Sequence, residues 1–134
     1  MRHPLPVPDQ DWLEIRELQL AYGKLFDARE AEAFAALYTE DAVLVQIGGK
    51  EIRTHEKFAK AVRNMPPAGQ GAHLMLETTL EIEGGEARGI CRFAAQTSGG
   101  DSVTGHYEDE YRRTGCGWRI SRRAVFLDPG GTEA

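Results

Sequence analysis

The sequence predicts an α+β fold, and two observations carry the prediction. Helical hydrophobic spacing is confined to the first half of the chain, and glycine turns cut the second half into four long runs. The turns are Gly84-Gly85, Gly99-Gly100 and Gly115-Cys116-Gly117. They leave about Ala72 to Glu83, Glu86 to Ser98, Ser102 to Thr114 and Trp118 to Leu127 as the strands of an antiparallel meander. Each run exceeds the usual strand of about five or six residues, so the sheet must twist and curl. A curled sheet with helices supplied by the other half of the chain encloses a concave space on one face.

In the first half, apolar residues recur at Trp12, Ile15, Leu18, Tyr22, Leu25 and Phe26. That is a helix from Asp9 to about Phe26 with one buried stripe and Asp9 as its N-cap. A second helical stretch, Ala31 to Tyr38, has Phe34, Leu37 and Tyr38 on its apolar side. Ala42 to Ile47 is β-branched and apolar enough for a strand, and Gly48-Gly49 turns it into a short second strand, Lys50 to Thr54. His55 to Asn64 reads as a third helix, stopped by Pro66-Pro67. The segments 1–8 and 128–134 are expected to fray around a single domain, 1–134, with an ordered core of about 9–127.

Composition narrows the function classes. The chain has 134 residues, and 41% hydrophobic residues supply one core at that length. Lys+Arg 16 against Asp+Glu 21 gives a net charge of -5 without any basic stripe, which argues against nucleic acid as a partner. The opening MRHPLPVP has no apolar stretch, so neither a signal peptide nor a membrane anchor is expected there. Cys91 and Cys116 make no disulfide framework and no CxxC pair, which fits a reducing, cytoplasmic setting. The histidines, His3, His55, His73 and His106, lack HxH or HxxxH spacing, so no metal and no other cofactor is expected. His106-x-Glu108 reads as a solvated strand face.

Counting through the turns sets which residues share a sheet face. His73 and Arg123 fall on one face. The other collects Leu74, Leu76, Leu80, Ile82, Cys91, Phe93, Tyr107, Tyr111, Trp118, Ile120 and Phe126, and it is the more apolar of the two. Either bulges shift the register within these long strands, or a partner subunit covers the apolar face. Arg122 and Arg123 are adjacent, so a one-residue bulge would swap which of them points inward.

The segment from Ile15 through Tyr22 to Asp27, followed by Phe34-Ala-Ala-Leu-Tyr-Thr-Glu-Asp41-Ala-Val, resembles the opening of SnoaL-like domains of the nuclear-transport-factor-2-like superfamily. Gly71-Ala-His73, Gly105-His-Tyr107-Glu-Asp-Glu-Tyr111 and Gly117-Trp118-Arg-Ile-Ser-Arg-Arg123 are similar to later strands of the same family, in the same order. The resemblance runs from about Trp12 to Leu127. It implies a cone-shaped α+β barrel: three helices from the first half packed on a strongly curved, mixed but mainly antiparallel sheet of about six strands. Members include scytalone dehydratase, bile acid 7α-dehydratase, hexachlorocyclohexane dehydrochlorinase, ketosteroid isomerase, limonene epoxide hydrolase and polyketide cyclases, so the fold alone does not choose a reaction. In the dehydratase and dehydrochlorinase members an Asp at the end of the first helix pairs with a His on a strand, and an Arg from the last strand joins them. The resemblance carries those roles to Asp27, His73 and Arg123, and matches Tyr22 to the tyrosine of the bile acid enzyme.

An Asp–His pair has a direct chemical use. The carboxylate fixes one imidazole tautomer and stabilises the protonated ring, so His73 would act as the base. Taken alone, His73 reads as the polar first residue of a strand, and Asp27 as the opening of a loop. Arg123 would steady a developing anion, or else pair with an acidic neighbour; Tyr22 would donate to a substrate oxygen, or else sit in the core with its hydroxyl at the rim. Trp12, Phe26, Phe34, Phe58, Met65, Met75 and Tyr107 are candidate pocket walls, each also a candidate for the core. Two classes of function follow. One is a cofactor-independent lyase, isomerase or cyclase acting on a small hydrophobic metabolite such as a polyketide, steroid-like or aromatic compound. The other is a non-catalytic ligand-binding or assembly module, like the small subunits of ring-hydroxylating oxygenases, which share the fold. An epoxide hydrolase is a third possibility. A homo-oligomer, dimer or trimer, assembled through the apolar sheet face is expected.

Overall fold

The computed structural model describes residues 9–64, 73–96 and 100–129. Met65, the Pro66-Pro67 stop, Gly71-Ala72, Gly99 and most of both terminal segments lie outside the described residues. Helix α1 spans Gln10–Asp27, α2 Ala31–Ala35 and α3 His55–Arg63; the strands are β1 Tyr38–Val45, β2 Glu51–Arg53, β3 His73–Glu83, β4 Glu86–Gln96, β5 Ser102–Thr114 and β6 Gly117–Leu127. They form one mixed sheet in the order β2-β1-β6-β5-β4-β3, in which β1 and β6 run parallel and every other neighbouring pair is antiparallel. Three helices on a six-stranded sheet is the architecture expected.

Local chemistry accounts for most boundaries. The Asp9 carboxylate accepts the backbone N–H of Asp11 at 2.9 Å and so caps α1. Thr54 does the same for α3, accepting from the Lys57 N–H at 3.3 Å. One boundary differs from the sequence expectation: α2 stops at Ala35, and β1 begins at Tyr38 instead of Ala42. The Leu37 carbonyl accepts the Ile120 N–H at 2.8 Å, so pairing with β6 claims the backbone that the helical pattern would have used.

Two β-bulges settle the register. In β3 the pairing jumps from Met75↔Phe93 to Thr78↔Cys91, so two residues face one. In β6 it moves from Ile120↔Tyr111 to Arg122↔Glu110, leaving Ser121 as the extra residue. Each bulge inverts the alternation beyond it. His73 and Met75 therefore join Leu80, Ile82, Cys91 and Phe93 on the concave face, and Arg123 joins Tyr107, Tyr111, Trp118 and Ile120 there. The apolar face is the protein's own core, packed under α1 and α2, so it gives no ground for the oligomer expected through it. Leu74 and Phe126, counted with the apolar face, instead point outward, 60% and 42% exposed.

Gly105 marks where the sheet tolerates no side chain. A Cβ there would run into the Phe126 carbonyl oxygen and lie 2.9 Å from the Phe93 ring. Gly105→Ala is expected to cost about 1–3 kcal/mol of stability, as overpacking does. Chemical denaturation checks this, and an unchanged midpoint would show that β6 can move aside.

Candidate functional site

Asp27 is the last residue of α1, where unpaired backbone carbonyls make a carboxylate unfavourable unless donors offset them. Both of its oxygens find donors on His73, the first residue of β3. Oδ2 accepts the His73 backbone N–H and Oδ1 meets the ring Nδ1, each at 2.7 Å. An ionised carboxylate only accepts, so the ring proton lies on Nδ1 and the imidazole lone pair on Nε2. The two side chains are 25% and 21% exposed, which puts the pair at the rim of the interior. Helix and strand approach closely one turn earlier, because Gly23 lacks a side chain: a Cβ there would sit 3.1 Å from the His73 carbonyl oxygen.

Arg123 lies deeper and has other business. It is fully buried, and its guanidinium forks onto Asp109, Nε to Oδ1 at 2.8 Å and Nη2 to Oδ2 at 2.6 Å. The rings of Tyr22 and Tyr107 flank its charge, with centroids 4.3 and 3.9 Å from Cζ. Burial opposes that charge, but Asp109 and the tyrosines around it more than offset the penalty and hold the Arg123 pKa well above its usual value. Nη1 of Arg123 and the hydroxyl of Tyr38 are buried without a hydrogen-bond partner among the described residues.

Tyr22 links the two centres. Its ring meets His73 edge-on at 6.5 Å between centroids and Phe34 at 5.0 Å. Burial raises its pKa, while the adjacent Arg123 charge pulls the other way. Phe26 packs against the His73 ring at 4.7 Å, and Phe34 bridges Phe26 and Tyr38. Phe58 stacks on Tyr38 at 4.3 Å, one ring further from the site, and Met75 is buried in the core beneath Gly23. Of the expected pocket walls, Phe26, Phe34, Phe58 and Tyr107 thus belong to one continuous aromatic packing with Tyr22 and Tyr38. Trp12 is not brought to it: at the other end of α1, about 22 Å along the axis from Asp27, it lines a surface cleft with Asp9, Leu80 and Ile82.

Sequence reasoning missed Asp109 and Gln19. Asp109 is 3% exposed and alternates with Tyr107 and Tyr111 on the apolar face, so a charged residue at that parity was the available signal. Gln19 is fully buried among Ile15, Leu18 and Tyr22 on the stripe of α1, a polar residue at core spacing. Among the described residues no cluster of three or more His, Cys, Asp or Glu is arranged to hold a metal ion, and no helix is long and apolar enough to cross a membrane. His106 meets Glu108 at 3.1 Å on the outer, solvated side of the sheet.

Comparison with known proteins agrees with this fold. No match is found among the curated proteins. Among solved structures, an NTF2-like protein with a cystatin-like fold from Novosphingobium aromaticivorans superposes with a TM-score of 0.81 at 29% identity, covering 90% of this chain and 84% of that one. A candidate aromatic ring hydroxylase from the same organism gives 0.77 at 28% identity, covering 92% and 94%. A candidate scytalone dehydratase, also from that organism, gives 0.78 at 16% identity, covering 89% and 85%, a likeness of fold alone. The family model of the SnoaL-like domain matches residues 10–124. The chain belongs to the SnoaL-like domain family, within the NTF2-like superfamily.

Proposed function

We propose that the protein is a cofactor-independent acid–base enzyme, a lyase, isomerase or cyclase, acting on a small hydrophobic metabolite. One observation carries this reading: the 2.7 Å contact of Asp27 with His73 Nδ1, which leaves the imidazole lone pair on Nε2 at an accessible rim. In an elimination, Nε2 takes a proton from a carbon beside a carbonyl. The C–H electron pair becomes the new double bond, and the hydroxyl on the next carbon leaves with its own bonding pair. The imidazolium, stabilised by Asp27, returns its proton to that hydroxyl, so water is released and the enzyme is restored. In an isomerisation the proton returns to a different carbon. Phe26 against the His73 ring suits an apolar or aromatic substrate.

Arg123 supports the reaction from a distance, since two of its three nitrogens are engaged by Asp109. Its field and the Tyr22 hydroxyl favour negative charge developing on a substrate oxygen. The test is turnover on a panel of apolar β-hydroxy ketones, with solvent deuterium incorporation followed by NMR. His73→Ala is expected to lose at least about 100-fold in rate, the usual contribution of a positioned general base. Full turnover by His73→Ala on a substrate that the unaltered protein converts would refute the proposal.

A further inference from the structure

We infer that Gln19 is a positioning residue that keeps His73 and Arg123 on the interior face by bracing the two β-bulges against each other. Neither residue would face inward without its bulge. Extending the alternation of Thr78, Leu80 and Ile82 backwards through a regular strand would turn Leu74 inward and His73 out, and a regular β6 would bring Arg122 inward in place of Arg123.

Both irregular stretches are held from α1. Arg16 Nη2 donates to the carbonyl of Leu76, inside the first bulge, at 2.7 Å. Gln19 Nε2 donates to the hydroxyl of Thr78, the residue at which regular pairing resumes, at 3.0 Å. The same nitrogen donates to the Tyr111 hydroxyl at 2.9 Å, and Tyr111 is paired with Ile120 immediately before the second bulge. The Tyr111 hydroxyl in turn donates a hydrogen bond to Asp109 Oδ2 at 2.5 Å, and Asp109 holds Arg123.

The direction of every bond in this chain is fixed by valence. A carboxamide has two N–H donors, here used on Thr78 and Tyr111, and its oxygen accepts from Arg16 Nη1 at 3.0 Å. No other side chain of that size supplies two donors and an acceptor in one plane. Gln19 is fully buried, so its loss leaves Thr78, Tyr111 and Arg16 each short of one protein partner in the interior. Because α1 also ends in Asp27, one helix carries the carboxylate that meets His73 and the amide that braces both bulges.

The consequence for turnover rests on the acid–base reading above, but the geometric consequence does not, and the test reads geometry. In Gln19→Met, ring N–H and guanidinium Nε–H signals of His73 and Arg123 are followed by NMR, with amide hydrogen exchange at Leu76, Glu77 and Ser121. The reference is Val62→Ala, which opens the core at a fully buried position on α3 away from both bulges. Gln19→Met is expected to displace both side-chain signals and to speed exchange at the bulges by at least about tenfold over Val62→Ala. Unmoved signals with exchange equal to the reference would overturn the inference. Should Gln19→Met fail to fold, Arg16→Met decides: it removes the Leu76 anchor and the bond to the Gln19 oxygen but keeps both Gln19 donors, and is expected to move the His73 signal more than that of Arg123, an unmoved His73 signal being the contrary result. None of these readouts uses a substrate, so they stand or fall separately from the loss of turnover in His73→Ala.

Discussion

Asp109→Ala is expected to lower the free energy of unfolding by about 3–5 kcal/mol, the penalty for removing one member of a buried ion pair. The loss comes from what is left behind: the Arg123 guanidinium, with no exposed surface, is stripped of both the oxygens it forks onto, and the Tyr111 hydroxyl loses its acceptor. A solvent-exposed pair such as Arg88 with Glu81 would cost about 1 kcal/mol or less when broken. Asp109→Leu combined with Arg123→Met should restore much of the loss, because an apolar pair of similar volume avoids the desolvation of both charges. Urea denaturation with unchanged slope is the measurement. A single-variant loss below about 1 kcal/mol would mean that water reaches Arg123.

The second large effect is alkaline. Every tyrosine of the chain, Tyr22, Tyr38, Tyr107 and Tyr111, is buried. Burial raises the pKa of each, and for Tyr38, Tyr107 and Tyr111 well above the ordinary value. For Tyr111 the Asp109 charge adds to it. A group with a raised folded pKa contributes its full stability below its unfolded pKa, about 10 for tyrosine, and that contribution is lost as pH rises beyond it. Above about pH 10 the unfolded chain ionises tyrosines that the folded protein keeps neutral, so stability falls by roughly 1 kcal/mol per pH unit for each such group, Tyr38, Tyr107 and Tyr111 foremost. The tyrosinate absorbance should therefore appear together with the loss of circular dichroism, in one cooperative step. A tyrosine that titrates near pH 10 while the protein remains folded would contradict its burial.

How much of this was legible in the sequence depended on whether the signal was local. The turn glycines and the helical stripe named the elements, and β5 matches its expected span, Ser102–Thr114, at both ends. The juxtaposition of Asp27 with His73 came from position in a family pattern, since nothing in local spacing brings residues 27 and 73 to 2.7 Å. The count allowed for bulges, and even for one that swaps Arg122 with Arg123, but could not place them. A bulge adds one residue without a compositional mark, and here the side chains that bond to the first of them, Arg16 and Gln19, lie about sixty residues away in sequence from Leu76 and Thr78. The same inversion explains why Leu74 and Phe126 looked like core and are exposed. Asp109 was readable in principle, as a carboxylate on the apolar parity of β5, and called for a buried cation opposite. Trp12 was misplaced for a simpler reason: a stripe tells which side of a helix is buried, and nothing about which end of it meets the site.

The strand order has a consequence in time. The last strand in chain order, β6, is not at an edge but between β1 and β5. Until it arrives, β1 and β5 each present an unpaired edge, and the core under α1 lacks Trp118, Ile120 and Arg123 together. The first half of the chain thus waits on the sheet for a partner more than seventy residues further on, Tyr38 for Ile120 and Val43 for Arg122. Long-range closure of that kind is slow and leaves nascent chains open to aggregation. During synthesis the domain is therefore most vulnerable while β1 to β5 are made and β6, which closes the core, is still to come.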